Sequence, residues 1–380
     1  MDLKDIRTRI DAIDDEIVRL FVQRMDCAKE VALVKQQDAK PIQDHARERV
    51  ILNRVTAAAG KEYAPYTRTL YNQIFDLSRS YQAALGRYRS PLERQIAEAL
   101  SGTEGIRLPE RALVACQGTE GAYGQQACER LFPCPDILYF DSFDGVFSAV
   151  EKGMCRYGIL PIENSTAGSV TQVYDLMEKH HFYIVGAQKL RIDHRLMKKG
   201  GAGDKPITEI VSHEQALRQC SRFLAAHPEI KATVMENTAV AAEFVANSDR
   251  DDLAVIASRA CAGLYGLDIV NDEISDSPSN FTRFICISRT LELYPSARKV
   301  SLMLNLAHEP GALNAIVSRL ALAGVNLLKL ESRPLPGREF EFRFFFDMTA
   351  SVADPSVVRL LCELEAHCDR FTFLGCYDEQ

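Results

Sequence analysis

DLKDIRTRIDAIDDEIVRLFVQRMDCAKEVALVKQQ, residues 2–37, holds the first decision about the fold. Leu3, Ile6, Ile10, Ile13, Ile17, Leu20, Ala28, Val31 and Val34 recur largely at spacings of three and four, with no Gly or Pro before Pro41. That pattern predicts one amphipathic helix. At 1.5 Å per residue it is about 54 Å long. Asp44 is placed to cap a second helix over residues 45–59, ended by Gly60, and a third covers residues 65–85. Three helices of such unequal length cannot cover the first one's apolar stripe. The expectation is an all-α N-terminal helical domain built as an intertwined dimer.

From Arg111 the period changes. ALVACQG, DILYF, RYGILPIE, FYIVGAQ, TEIVSH, KATVME, DLAVIAS and FTRFICIS are short apolar or β-branched runs with helical stretches between many of them. Alternation of this kind predicts an α/β domain with largely parallel sheets. A turnaround near residues 190–196 suggests two lobes around a cleft. Ligands in such folds bind at strand C-terminal ends and helix N-termini. After Pro295, VSLMLNLA, NLLKLESRP, EFRFFFDM and FTFLGCY alternate with two helical stretches as β-α-β-β-α-β, an α+β ferredoxin-like order. The chain thus reads as multidomain: helical over 1–90, linker over 91–110, two-lobed α/β over 111–292, ferredoxin-like over 297–380.

Composition narrows the function. The 380 residues carry a net charge of −7 and are 47% hydrophobic, the balance of an ordinary globular protein. Residues 1–90 hold 16 basic and 13 acidic side chains, net +3, leaving 29 and 39, net −10, for the rest. A mildly basic block suits a small anionic ligand, and no segment is basic enough for nucleic acid. The 11 cysteines show no CxxC and no zinc spacing, so they are expected to be reduced, with no metal and no cofactor. MDLKDIRTRI has no apolar signal-like core and no run is long enough to span a membrane, so a cytoplasmic location is expected.

Polar residues punctuate the helical stripe. Arg24 and Lys35, 11 residues apart, share a face of the first helix. Arg7 lies 17 residues before Arg24, about 25 Å away and off that face. Asp44, Arg47 and Glu48 open the second helix, and Ser78 and Gln82 share a face of the third. The series Arg7, Asp14, Arg24, Lys35, Pro41, Asp44, Arg47, Glu48, Ser78, Gln82 resembles the all-helical chorismate mutase family. The resemblance implies that Arg24 and Arg47 hold the carboxylates of chorismate and that Lys35 and Gln82 bond its ether oxygen. It further implies that Glu48 holds a hydroxyl, that Asp44 and Ser78 complete the pocket, and that Arg7 enters from a partner chain. The Claisen rearrangement needs a held conformer and positive charge beside the breaking C–O bond, with no nucleophile.

Three central segments stand out. Gly118–Gly124 is a glycine-rich turn between a strand and a helix, whose amides could cradle an anion or simply turn the chain. The segment 161–169, PIENSTAGS, places four small polar side chains in a turn after a strand. NFTRF, residues 280–284, opens the run FTRFICIS, with Arg283 facing away from Thr282 by alternation. Together with GTEGAYGQQA, IVSHEQALRQC and ENTAVAAEFVA, these resemble prephenate dehydratase. The resemblance implies Thr282 as the catalytic hydroxyl, with Glu163, Asn164, Ser165, Thr166, Ser212, Gln215 and Asn280 around the substrate. A neutral hydroxyl can assist departure of hydroxide while the ring becomes aromatic. Thr119 stands where that family often has Pro, Gly124 where it usually has Ser or Thr, and Glu214 where SHPQ has Pro.

The C-terminal segment carries Gly311, Ala312, Leu313 and Asn314 at a helix start and Glu331, Ser332, Arg333 and Pro334 at a strand end. These resemble the GAL and ESRP motifs of the regulatory ACT domain. Phenylalanine as feedback effector, bound between paired copies, is implied. The combined expectation is a bifunctional enzyme of phenylalanine biosynthesis, turning chorismate into prephenate and prephenate into phenylpyruvate, as a homodimer or larger. Two alternatives stand beside it: a small-ligand sensor with a helical dimeriser, and a dehydratase preferring arogenate. The full set of mutase polar positions argues against the sensor, since a dimeriser needs only the apolar stripe.

Overall fold

The structure is a computed structural model that describes residues 2–37, 44–85, 90–103, 105, 107–203, 205–335 and 341–380. The apolar repeat of the first stretch forms a single helix, α1 (Leu3–Gln37). The second and third expected helices run as one element, α2 (His45–Leu85), broken at Gly60, whose φ of 74° and ψ of 169° are not helical. A positive φ of this kind is cheap only for glycine. Asp44 caps α2, its Oδ1 accepting from Arg47 N at 2.9 Å. The linker opens with a helix, α3 (Pro91–Gly102).

The contacts divide the chain into two compact units. One comprises Met1–Gln95, Leu306–Val325 and Asp354–Asp369, the other Ile96–Asn305, Asn326–Ala353 and Arg370–Gln380. The lobes expected from alternating β and α are built, in order, from β1 (Arg111–Gln117), α4 (Tyr123–Leu131), β2 (Cys134–Phe140), α5 (Phe143–Glu151), β3 (Tyr157–Asn164), β4 (Gly168–Ser169), α6 (Thr171–Leu176) and β5 (Tyr183–Arg191). There follow β6 (His194–Lys199), β7 (Glu209–His213), α7 (Glu214–Arg218), α8 (Ser221–Ala225), β8 (Lys231–Met235), α9 (Thr238–Asn247), β9 (Leu253–Ser258), α10 (Ala260–Tyr265), β10 (Leu267–Asn271) and β11 (Phe281–Ser288).

The first lobe's sheet has the order β2-β1-β3-β11-β5 with β4 beside β3, and the second lobe's has β10-β6-β9-β7-β8. β1 runs parallel to β2 and β3, and β7 to β8 and β9. The remaining pairs are antiparallel, so each sheet is mixed rather than largely parallel. In the first lobe the cause is topological, and in the second it is β6, which runs antiparallel to β9 and β10. The chain leaves the first lobe after β5 and returns as β11, which enters between β3 and β5 in the reverse direction.

The last third supplies β12 (Lys299–Asn305), α11 (Ala312–Leu322), β13 (Asn326–Pro334), β14 (Phe342–Thr349), α12 (Pro355–His367) and β15 (Arg370–Tyr377). The sheet order β13-β14-β12-β15, antiparallel throughout, is the ferredoxin-like one. Within the larger unit this sheet shares a core with the first lobe: Met303, Phe345, Leu374 and Tyr377 are buried with Leu160, Ile184 and Ile285. Beyond β15 the chain continues the ladder on β5, with Ala187 N donating to Asp378 O at 3.0 Å and Lys189 N to Gln380 O at 2.8 Å. Gly375 crosses β5 so closely that a Cβ there would lie 2.1 Å from Ile184 O. In the smaller unit, buried Arg319 of α11 pairs with Asp76 of α2 at 3.5 Å, and Ser80 donates to Glu363 of α12 at 3.0 Å.

Candidate active sites

The helical site forms where α1 meets the second half of α2. Arg24 Nη1 donates to Ser78 Oγ at 2.5 Å, and the guanidinium lies 5.7 Å from the centre of the Phe75 ring. Burial holds the Arg24 pKa below the usual guanidinium range. Ser78 and Gln82, one turn apart, are only 6% and 8% exposed, as their shared face predicts. Gln82 Oε1 is buried with no hydrogen-bond partner among the described residues. Lys35 is half-buried near the end of α1.

Glu48 receives a residue that sequence reasoning passed over. Arg79 Nη1 reaches Glu48 Oε1 at 2.5 Å and its Nη2 reaches Asp76 Oδ1 at 2.5 Å. Its place beside Ser78 was the available signal. A cavity of about 260 Å³ opens here between Glu48, Leu52, Asn72 and Phe75. Asp44 caps α2 through one carboxylate oxygen, Oδ1. Arg7 and Arg47 stand exposed, and Pro41 lies outside the described residues.

The second site is a cleft of about 750 Å³ between the two lobes, with Asn164, Thr166, Gln215, Gln219 and Asn280 among its walls. β3 ends in Asn164 and β11 begins with Thr282 opposite it, because the two strands pair in that register. Asn164 Nδ2 donates to Thr282 Oγ1 at 2.9 Å and to Asn280 Oδ1 at 2.8 Å. Its Oδ1 accepts from the backbone N of Thr166 at 3.0 Å and of Ala167 at 2.9 Å, which fixes the amide's orientation. Thr282 therefore accepts from Asn164, and its own hydrogen has no acceptor among the described residues. A hydroxyl so held is a donor aimed at something else.

The network extends further than the sequence suggested. Asn280 Nδ2 donates to Gln219 Oε1 at 2.9 Å, and the same oxygen lies 3.0 Å from His194 Nε2. His194 is buried at the start of β6, and burial lowers its pKa below the usual imidazole value. Gln219 stands four residues after Gln215, one helical turn on, which was the signal available for it.

Three expected pocket residues do other work. Ser212 is fully buried and its hydroxyl donates to Ile256 O, because β7 sits inside its sheet. Ser165 ties the turn to β11, its Oγ donating to Ser279 O at 3.1 Å and accepting from Phe281 N at 2.9 Å. Glu163 points to the face opposite Asn164, as adjacent strand residues must, and pairs with Lys329 of β13 at 3.1 Å.

The glycine-rich turn uses several of its amides internally, Gly118 N on Phe140 O and Ala122 N on Thr119 O. Gly121 N donates to Gln125 Oε1 at 2.7 Å, and Gly121 O accepts from Ser258 Oγ of the second lobe at 3.0 Å. Gly124 has a steric reason: a Cβ there would meet Cys116 Sγ at 2.6 Å. Glu214, the other departure, pairs with Arg218 at 2.6 Å beside the cleft. In the C-terminal sheet the alternation of β13 divides the ESRP motif. Glu331 accepts from Ser169 Oγ at 2.8 Å and Arg333 pairs with Asp175, while Ser332 and Pro334 are exposed. Gly311 precedes α11 with a φ of 96°, and Ala312, Leu313 and Asn314 form its first turn.

A helical region with a buried Arg–Ser–Gln set and an α/β cleft with an Asn-held threonine define a chain with two separate small-molecule sites. The prephenate dehydratase family model matches residues 114–292, and that of type II chorismate mutase matches residues 6–83. The bifunctional chorismate mutase/prephenate dehydratase of Escherichia coli (strain K12) is 30% identical over 387 residues, spanning 99% of this chain and 96% of that protein. Arogenate dehydratase/prephenate dehydratase 2 of Arabidopsis thaliana is 35% identical over 299 residues, 76% of this chain and 78% of that protein. The structure of prephenate dehydratase in complex with L-Phe from Arthrobacter aurescens matches with a TM-score of 0.63 and 26% identity, over 70% of this chain and 89% of that one. The chain belongs to the family of bifunctional chorismate mutase/prephenate dehydratases. It is an enzyme with both activities. No described helix is long and apolar enough to cross a membrane.

Proposed function

We propose that the helical site rearranges chorismate to prephenate and that the cleft converts prephenate to phenylpyruvate, with phenylalanine as feedback effector. The observation that carries the second step is the Asn164–Thr282 contact, which leaves the threonine hydrogen free. Thr282 donates that hydrogen to the leaving hydroxyl as the ring becomes aromatic and carbon dioxide departs. Asn280, itself held by Gln219, holds Asn164, and Thr166 and Gln215 line the cleft. In the first step Arg24 and Arg47 bind carboxylates, and Lys35 and Gln82 stabilise negative charge on the ether oxygen. Glu48, held by Arg79, takes the substrate hydroxyl.

A homodimer follows from the same helix. Ile13 and Ile17 of α1 are 56% and 57% exposed in the single chain, part of a stripe that a second copy would cover. That copy would also supply Arg7. The effector reading draws on the ferredoxin-like sheet and on the Arthrobacter protein's complex with L-Phe. The domain limits that fit are 1–90, 111–292 and 297–380, joined by 91–110. Purified protein given chorismate should accumulate prephenate and then phenylpyruvate, more slowly with phenylalanine. Lys35→Ala should stop the first step alone and Thr282→Ala the second alone. Loss of neither, or conversion of arogenate in preference to prephenate, defeats the reading.

A further inference from the structure

The strands that carry the catalytic contact have a second face. In the β3–β11 ladder Thr282 pairs with Asn164 and the next residues, Arg283 and Glu163, pair with each other. Thr282 and Asn164 meet at the cleft, so Arg283 and Glu163 point the other way. Facing them is the C-terminal sheet, in which Lys329 of β13 pairs with Asp347 of β14 and Asp347 with Ser301 of β12.

The two rows match in charge. Lys329 Nζ lies 3.1 Å from Glu163 Oε1 and 2.9 Å from Ser169 Oγ, next to Glu163 on β4. Arg283 pairs with Asp347, lies 2.6 Å from Glu379, and donates to Tyr377 Oη at 2.7 Å. Ser301 contacts both Asp347 and Tyr377, and Lys299 reaches Glu379 at 2.7 Å. The side chains of Arg283, Asp347 and Lys329 are only 10%, 13% and 14% exposed. A fork of this kind specifies position, because Arg283, Asp347 or Lys329 left alone would be an unpaired buried charge, whereas Glu163, 38% exposed, stays partly solvated.

We infer that Lys329 and Asp347 of the C-terminal sheet are positioning residues for the dehydration: through Glu163 and Arg283 they hold the β3–β11 register that puts the Asn164 amide on the Thr282 hydroxyl. This rests on Thr282 being the hydrogen donor, and it assigns the C-terminal sheet a part in turnover with no effector bound. Misplacement by about 1 Å can cost about 10²-fold in rate, so a loosened clamp is felt in kcat.

The test uses the full-length enzyme with prephenate. Lys329→Met keeps the aliphatic stem and removes the ammonium. It should lower kcat about 10-fold with KM within about 2-fold, since a positional slip of a fraction of an ångström acts on the transition state. Asp347→Asn should lower kcat further, and Lys329→Arg, which restores a donor, should recover most of the loss. Chorismate turnover and the melting temperature of Lys329→Met should stay near wild type. In a Thr282→Ala background Lys329→Met should have no further effect, because the group it positions is gone. Unchanged kcat in folded Lys329→Met, or an equal loss in the Thr282→Ala background, overturns the inference. Should Asp347→Asn not fold, Lys329→Met alone decides. Full dehydratase rate in Thr282→Ala would instead refute the role of Thr282.

Discussion

Asn164→Asp changes one NH2 to an oxygen and nothing in the shape of the side chain. The native carboxamide makes five short contacts: its nitrogen donates to Asn280 Oδ1 and Thr282 Oγ1, and its oxygen accepts from Thr166 N, Thr166 Oγ1 and Ala167 N. A carboxylate keeps the three acceptor contacts and strengthens them. It reverses the other two. Asn280 Oδ1, 2.8 Å away, would face an anion, and Asn280 cannot flip without losing its bond to Gln219. That should cost about 1–3 kcal/mol of stability, the range for leaving buried groups unpaired. The catalytic effect should be larger than this. The Thr282 hydroxyl would turn its hydrogen to the carboxylate and withhold it from the leaving group. Losing one donor aimed at developing charge costs about 10²–10³ in kcat, or about 2.7–4 kcal/mol. The assay follows phenylpyruvate from prephenate, with chorismate turnover as the internal measure of folded enzyme. A folded Asn164→Asp protein whose kcat stays within about 3-fold of wild type would refute the argument that Asn164 sets the direction of the Thr282 hydrogen.

Three further outcomes are expected. Gly124→Ser should lower stability by about 1–3 kcal/mol through overpacking against Cys116 Sγ, and Cys116→Ala in the same chain should restore most of it in thermal unfolding. Burial depresses the His194 pKa below 6.5, so the unfolded chain takes up a proton that the folded one refuses as pH falls through that value. Stability should therefore drop with pH below about 6.5, and His194→Gln should flatten the slope in denaturant titrations; identical slopes would exclude His194 as the source. Ile17→Glu puts a charge into the exposed stripe of α1; if the proposed dimer forms there, the protein should sediment as a monomer, with mutase activity falling by about 10²-fold or more because the proposed Arg7 of a second copy is lost. A mutant that stays dimeric would point to a different interface.

Much of this protein was legible from periodicity. The repeat of residues 2–37 became one helix, and Asp44 capped the next. Gly60 broke that next helix where a positive φ was needed, and the β-α alternation became two lobes. These features depend on neighbours a few residues apart, so local spacing carries them. The candidate site was half legible for the same reason. Asn164, Thr166, Gln215, Asn280 and Thr282 lie in short polar motifs at strand ends. Strand alternation alone placed Arg283 away from Thr282, and applied to the ENS turn it would have turned Glu163 to that side as well.

What only the tertiary structure decided involves partners far apart in sequence. The antiparallel entry of β11 between β3 and β5 makes the first lobe's sheet mixed and sets Thr282 against Asn164, 118 residues earlier. Gly124 is closer to its partner, Cys116 of β1 eight residues earlier, but their contact depends on how α4 folds back on that strand. Glu331 and Arg333, read in sequence as effector ligands, are engaged with Ser169 and Asp175 because β13 packs one face on the first lobe. Chain order predicts which residues can share a face, but the pairing of two faces depends on how whole sheets pack, and that packing put Lys329 and Asp347 behind the catalytic strands.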